Sequence, residues 1–217
     1  MKNTLSLLAC IILFTVSSSA QFDKGASYIG LGVSFNNQHS SATNSSGNKI
    51  STTGFLLGPD FGYFLNDKWV IGAGLGYSYN RSSTYSIVFS DQNTSTQSAL
   101  IFQPYLRRYF KMGEKVALFA QISIGYSYGW ESETDVNTVS HTASPQVNIN
   151  TVMAGFTPGI NYCLNKHWML EASTSILSLQ YASTSNAGST VAMDQSNVQF
   201  SLLPVGIILG VKYIIHQ

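Results

Sequence analysis

The chain has 217 residues, enough for one domain or one large all-β barrel. Only 10% of its residues are charged, well below the roughly 25% of soluble domains, whereas 44% are hydrophobic. The net charge of +1 provides no basic surface for nucleic acid, so we expect no nucleic-acid partner.

Residues 1–20 are predicted to be a secretory signal peptide. Lys2 supplies a positive charge, an apolar run extends from Leu5 to Val16, and the small residues Ser18-Ser19-Ala20 suit cleavage before Gln21. The alternative is a lipoprotein signal, because Leu7-Leu8-Ala9-Cys10 resembles a lipobox. The apolar run continues beyond Cys10, which favours the ordinary signal peptide.

Beyond the signal, alternation of apolar with small or polar residues predicts β-strands. Eight such segments lie near 25–36, 50–65, 68–81, 97–110, 115–130, 147–164, 167–180 and 197–215. No segment after the signal approaches the ~20 apolar residues of a membrane-spanning helix. A membrane location therefore requires a closed barrel, in which strands satisfy one another's backbone groups.

The connections between these segments alternate between short and long. Tight turns are predicted at 66–67, 111–114 and 165–166, and long loops rich in Ser, Thr and Asn at 37–49, 82–96, 131–146 and 181–196. Transmembrane β-barrels have this pattern, with short periplasmic turns and long outer loops. With an even number of strands, both mature termini are predicted to be periplasmic.

Four prolines count against a regular barrel, because proline cannot donate a hydrogen bond to a neighbouring strand. Pro59, Pro104, Pro158 and Pro204 recur at hairpin-like intervals within the predicted strands. We interpret them as bulges or kinks that help the sheet to curve.

The two faces of the predicted strands differ in side-chain size. In the segment 68–81, one face carries Trp69, Ile71 and Leu75, and the other carries mostly glycine and serine. An eight-stranded barrel has a narrow interior, so the small face is predicted to line the lumen and the bulky face to meet lipid. The alternative is a soluble lipocalin-like barrel with its apolar residues inward.

Aromatic residues gather near the predicted strand ends, as they do in the girdles of membrane barrels. The predicted girdle residues are Tyr63, Trp69, Tyr77, Tyr79, Tyr126, Tyr128, Trp130, Tyr162 and Trp168.

The chain resembles the small eight-stranded outer-membrane barrels of the OmpA-like and OmpX-like group. The resemblance rests on the signal peptide, the eight alternating segments, the motif Tyr-x-Leu-Asn-x-x-Trp at 63–69 and 162–168, and the last strand, 205–215. It implies an all-β, up-and-down antiparallel barrel domain over 21–217 in a Gram-negative outer membrane. Its implied partners are outer-membrane lipids and the barrel-assembly machinery, and it implies no cofactor.

Three charged residues inside the predicted strands, Asp60, Arg107 and Glu171, fall on the lumen face at similar depth, and Lys212 is expected to join them. We expect Asp60, Arg107 and Glu171 to form a buried ionic cluster with Lys212 near the periplasmic end, because a lone buried ion is costly. Such a cluster has two interpretations. It either fills the lumen structurally or gates a narrow proton or ion path.

Catalytic and metal sites are not predicted. The histidines, His39, His141, His167 and His216, are isolated from one another and do not have metal-ligand spacing. The outer loops contain many serines and acidic residues. The sequence therefore does not single out any one Ser–His–acid triad for a lipid-modifying enzyme. Cys163 is expected to be a small strand residue rather than a reactive thiol.

Three functions therefore remain open. We expect first a non-enzymatic structural or adhesion protein whose Ser/Thr/Asn-rich outer loops contact an extracellular ligand. The alternatives are a narrow porin-like channel for small solutes or ions and, with less support, a lipid-modifying enzyme.

Overall fold

The computed structural model describes residues 23–41, 49–86, 91–136, 141–143, 147–186, 195–201 and 206–216. The predicted signal peptide lies outside the described residues and stays a prediction. The tips of the predicted outer loops, at 42–48, 87–90, 137–140 and 187–194, also lie outside them. Among the described residues, no helix is long and apolar enough to span a membrane.

The described secondary structure consists of eleven β-strands. They are β1 (Ser27–Ser41), β2 (Lys49–Phe64), β3 (Trp69–Ser86), β4 (Asp91–Lys111), β5 (Val116–Val136), β6 (His141–Ala143), β7 (Val147–Cys163), β8 (Trp168–Ser173), β9 (Leu177–Asn186), β10 (Gln195–Ser201) and β11 (Ile208–Ile215).

These strands form an antiparallel ring of eight positions, as predicted. β1 to β5 pair in order, and β7 follows β5. β8 and β9 both pair with β7 and share the seventh position, and β11 and β10 share the eighth. β11 pairs with β1 from Ser27↔Ile215 to Val33↔Leu209, which closes the ring. The short β6 pairs with β5.

The predicted long loops are wrong in extent, because much of their sequence is β-strand. β4 and β5 are each 21 residues long and pair from Lys111↔Ala117 out to Gln92↔Val136. Ser and Thr fit an extended backbone, and their hydroxyls bond across the pair, as between Ser83 and Thr94 at 3.3 Å. The polar composition therefore marks strands that leave the apolar band, not unstructured loops.

Three of the prolines lie where pairing with one neighbouring strand is interrupted. The β2–β3 register runs unshifted from Leu57↔Tyr77 to Asp60↔Gly74 but omits the pairs at 58 and 59. The β4–β5 register similarly omits 103 and 104, and the pairing of β7 passes from β8 to β9 across 157 and 158. The missing proline N–H accounts for each interruption. Because the registers at Pro59 and Pro104 are unshifted, neither is a bulge, and the predicted bulges are wrong at these two positions. Pro204 lies outside the described residues.

The last two ring positions are less regular than the others. Between β8 and β9 the chain bulges at 174–176, and Thr174 Oγ1 donates to the carbonyl oxygen of Gly206 at 2.7 Å. Gly206 has a φ of 93°, which a residue with a side chain adopts only with strain. Within the described residues, β10 pairs with β9 alone, and β1 beyond Val33 pairs with β2 alone. The outer part of this seam is therefore less tightly closed than its inner part.

The two faces of the strands are oriented as predicted. Leu75 and Ile122 point outward with exposed fractions of 59% and 56%, whereas inward positions such as Gly125 and Ser127 are buried. One part of the expectation is wrong, because the inner half of the lumen also holds large aromatic side chains. Tyr28 and Tyr109 are at most 1% exposed there.

Candidate functional site

The four charged residues of the predicted cluster come from four ring positions and face the lumen. Asp60 lies in β2, Arg107 in β4, Glu171 in β8 and Lys212 in β11. Gly30 of β1 pairs with both Asp60 and Lys212, one on each side. A Cβ on Gly30 would overlap the Asp60 carboxylate and lie 3.0 Å from Lys212 Cγ. The missing side chain therefore lets the two charged groups meet across β1.

The structure brings all four charges together as one network, hereafter the ionic cluster. Arg107 Nη1 lies 2.5 Å from Glu171 Oε2, and Lys212 Nζ lies 2.6 Å from Asp60 Oδ2. Lys212 Nζ also lies 3.2 Å from Glu171 Oε2, so Lys212 joins the two pairs. Two carboxylates balance two cations, which is the condition for keeping such charges out of water.

Arg107 is held by more than its salt bridge. Its Nε and Nη2 donate to Gln121 Oε1 at 2.9 and 2.7 Å, and its Nη1 donates to the Tyr109 hydroxyl at 3.1 Å. Its guanidinium carbon lies 4.0 Å from the centre of the Phe119 ring, within the range of a cation–π contact. Hydrogen bonds therefore hold the guanidinium in its plane, and the Phe119 ring packs against one of its faces.

Tyrosines that are not among the predicted site residues surround the acidic side of the ionic cluster. The Tyr28 and Tyr105 hydroxyl oxygens lie 2.6 Å apart, and the Tyr105 hydroxyl lies 3.0 Å from Asp60 Oδ2 as a donor. Lys212 Nζ lies 4.3 Å from the centre of the Tyr28 ring. The available signal was the position of Tyr28, Tyr105 and Tyr109 on the otherwise small lumen face.

Buried, mostly apolar side chains fill the barrel between the ionic cluster and the short turns. Phe64, Val70, Ala117, Cys163 and Met169 are each at most 1% exposed. Tyr109 stacks on Phe64 with ring centres 5.8 Å apart. Together with the ionic cluster, this packing closes the lumen at its inner end.

The histidines and Cys163 were the remaining candidates for a metal or reactive site. No group of three or more His, Cys, Asp or Glu that could hold a metal is found there. Cys163 is buried in the packing just described. His167 and His216 lie beside the last short turn with ring centres 5.6 Å apart, and the side chains of His39 and His141 lie outside the described residues.

The predicted girdle aromatics all lie on outward positions, in two groups. Tyr63, Trp69, Tyr162 and Trp168 flank the short turns, and Tyr77, Tyr79, Tyr126, Tyr128 and Trp130 lie towards the other end of their strands. At the short-turn end, Arg108 lies 5.4 Å from the centre of the Trp69 ring, where its charge can reach the interface. Leu75 and Phe102, which pair between the two groups, are more than half exposed.

Solved structures of other outer-membrane proteins are similar to this chain to different degrees. OprG from Pseudomonas aeruginosa superposes with a TM-score of 0.56 at 15% identity and covers 92% of this chain and 100% of its own. The transport unit of the autotransporter AIDA-I from Escherichia coli gives 0.46 at 12% identity, with 95% and 96% covered. Ail, the attachment invasion locus protein of Yersinia pestis, gives 0.37 at 14% identity, with 88% and 99% covered. Comparison with curated protein sequences gives no significant match.

At these identities the OprG superposition supports the fold alone. The sequence comparison goes further, because the profile of the outer membrane protein beta-barrel domain matches residues 6–203, most of the 217 residues. That match agrees with the eight-position ring, the outward apolar band and the two aromatic groups. The chain belongs to the outer membrane protein beta-barrel domain family and is an outer-membrane barrel.

Proposed function

We propose that the protein is a non-enzymatic, non-conducting scaffold in the outer membrane that presents a polar β-sheet to the cell's surroundings. The observation that carries the proposal is the combination of a sealed inner lumen with strands that continue beyond the apolar band. A sealed lumen disfavours transport, and ordered polar strands outside the membrane favour contact with another surface. Both termini are then periplasmic, since the short turns lie at the sealed end.

The protruding sheet is formed by the outer parts of β1 to β5. Its strands pair continuously with their neighbours. One row across the sheet consists of Asn37↔Thr53, Thr53↔Arg81 and Arg81↔Thr96. Side chains also bond across it. Thr52 and Ser82 hydroxyls lie 3.2 Å apart, and Asn93 Nδ2 donates to Glu133 Oε1 at 2.6 Å.

Such a sheet suits recognition because its groups are held in place before a partner arrives. Ordering them costs little further entropy on binding, whereas a flexible loop would lose it at that moment. Ser83, Thr94 and Thr96 point away from the barrel axis, so their hydroxyls face outward above the aromatic group. Hydroxyls and amides on a rigid scaffold can bond the hydroxyls of glycans or the backbone of proteins.

Shortening one hairpin tests the role of the sheet. Replacing residues 82–95 with Asn-Gly removes the outer part of β3 and β4 and leaves the pair Arg81↔Thr96 to close the hairpin. We expect cells that display this variant to lose attachment to glycan- or protein-coated surfaces, while gel mobility still shifts on heating as for a folded barrel.

A second replacement provides the matched control. Exchanging residues 87–90 for Asn-Gly shortens the tip and keeps the Ser86↔Asp91 pair and the sheet below it. Attachment should survive this change. If both variants attach as the unaltered protein does, the protruding sheet is not the contact surface.

A narrow channel is the second candidate function. It is favoured by the small and polar residues of the outer lumen, such as Ser78, Gly125 and Ser127. Conduction would require the ionic cluster to open, and each of its charges would then need a new partner or water. Catalysis has the least support, because neither His167 nor His216 contacts a serine or cysteine among the described residues.

A further inference from the structure

A cavity of about 240 Å³ lies in the lumen directly above the ionic cluster. Asp60, Arg107 and Glu171 form part of its lining on the inner side. Glycines account for the space around it, since a Cβ on Gly74 would have its nearest neighbour at 3.8 Å and one on Gly76 at 3.5 Å. The lumen therefore narrows to a closed end at the ionic cluster and widens above it.

Two glutamines on neighbouring strands leave amide groups for a ligand in this cavity. Gln121 is 9% exposed, and its Oε1 accepts both bonds from Arg107. Its Nε2 has no hydrogen-bond partner among the described residues, and a buried donor without a partner is costly. Gln103 Nε2 donates to Ser123 Oγ at 2.9 Å, which leaves Gln103 Oε1 as an acceptor. The two glutamines thus offer one donor and one acceptor, and the hydroxyl residues Thr157 and Ser173 also line the cavity.

The remaining lining is largely apolar and comes from separate parts of the ring. Leu56, Ile101, Met153 and Ile208 all border the cavity and face inward. Their presence favours a ligand with an apolar body. The volume is below the ~300–1,000 Å³ that holds a drug-sized molecule, so the ligand must be smaller than that.

The charges of the ionic cluster exclude a charged ligand. Both carboxylates already have cationic partners within 3.2 Å, so an added ion would find no free counter-charge. An unpaired ion in a site shielded from water is strongly disfavoured. A neutral molecule that both donates and accepts hydrogen bonds, such as a primary amide, matches the glutamines without this penalty.

We propose that the lumen above the ionic cluster is a dead-end binding pocket for small, uncharged molecules that combine an apolar body with a donor–acceptor head. The closed inner end prevents passage to the periplasm, so the ligand enters and leaves on the outer side. The proposal rests on the sealed inner end that the proposed function also requires, but it does not need the protruding sheet. Ligand binding and surface attachment can therefore fail separately.

The probe for this pocket is 4-fluorobenzamide, which is neutral, has an aromatic body and both donates and accepts through its amide. Its binding to the full-length protein in lipid nanodiscs is followed by ¹⁹F NMR line broadening, with empty nanodiscs to subtract uptake by lipid. We expect saturable binding above that background. The carboxylate 4-fluorobenzoate should bind at least tenfold more weakly.

Two glycine variants locate the binding. In Gly74→Val the new side chain enters the cavity without a close contact at its Cβ, and we expect at least a tenfold loss of affinity. Gly113→Val is the matched control, because Gly113 lies in a turn outside the lumen with nothing within 4 Å of an added Cβ. It should bind as the unaltered protein does. A third variant, Gln103→Met, removes the acceptor at similar size and should weaken binding of the amide several-fold.

Three results would each overturn the proposal. The first is binding no greater than that of empty nanodiscs, and the second is equal affinity for the amide and the carboxylate. The third is unchanged affinity in a Gly74→Val variant whose heat-dependent gel mobility shows that it is folded.

Discussion

Arg107 shows at the scale of single residues how a full positive charge is kept inside the barrel. Its side chain is 4% exposed, and Glu171, Gln121 and Tyr109 satisfy its donors. Phe119 covers one face of its guanidinium. Removing Arg107 would leave Glu171 with incomplete charge compensation. Glu171 would keep Lys212 but lose the closer of its two cations.

Arg107→Ala should therefore lower the free energy of unfolding by about 3–5 kcal/mol, the usual cost of breaking a buried pair. Urea unfolding in lipid vesicles, followed by gel mobility, measures the change. Arg108→Ala is the control, since Arg108 points outward over Trp69 and Phe110 and should lose no more than ~1 kcal/mol. If both variants lower the free energy of unfolding by the same amount, the ionic cluster does not contribute more to stability than a surface arginine does.

Glycines on the lumen face differ in what lies opposite them, which gives a second prediction. A Cβ on Gly62 would overlap the Tyr28 ring, whereas one on Gly74 would have nothing closer than 3.8 Å. Gly62→Ala should destabilise the barrel by about 1–3 kcal/mol through overpacking. Gly74→Ala should leave stability almost unchanged in the same unfolding experiment. A neutral Gly62→Ala variant would contradict the tight packing around Tyr28.

At the scale of strands, one element can serve two environments. β3 presents Ile71 and Leu75 to lipid, then Tyr77 and Tyr79 at the interface, and continues to Ser86 with polar side chains. The change of outward side chain along the strand, not a change of backbone, marks where the membrane ends.

Leu75→Arg should hinder insertion, because an outward arginine near the middle of the apolar band costs ~2–4 kcal/mol. The yield of heat-modifiable protein after refolding into vesicles measures this. Ser132→Arg, also outward but above the aromatic group, should refold normally. Normal refolding of both variants would show that Leu75 does not face lipid.

The sequence was sufficient for the strand order, the facing and the short turns, because alternation and turn chemistry are local signals. Strand ends were predicted less well. The stretch 91–96 was predicted as part of a loop from its composition, but it is strand because it pairs with Ser132, Glu133 and their neighbours. That pairing depends on a partner segment far along the chain.

At the scale of the whole molecule, the ionic cluster could be predicted because its members lie at similar depths in the barrel. Asp60, Arg107 and Glu171 lie at similar distances from short turns, and alternation places them in the lumen. The role of Lys212 as the bridge could not be predicted in the same way, since it depends on the register of β11 against β1 and on the space left by Gly30. The tyrosines were missed because the lumen face was treated as uniformly small.

The central prediction is that the ionic cluster, together with the side chains packed below it, seals the barrel. Single-channel recording of the refolded protein in planar lipid bilayers tests it directly, with the unaltered protein compared with Arg107→Ala. We expect a folded but electrically silent unaltered barrel. We expect discrete openings in Arg107→Ala, because Arg107 also bonds Tyr109 and lies on Phe119, so its loss loosens the packing below the ionic cluster. Steady conductance of the unaltered protein that does not change in Arg107→Ala would contradict the claim and favour an open channel.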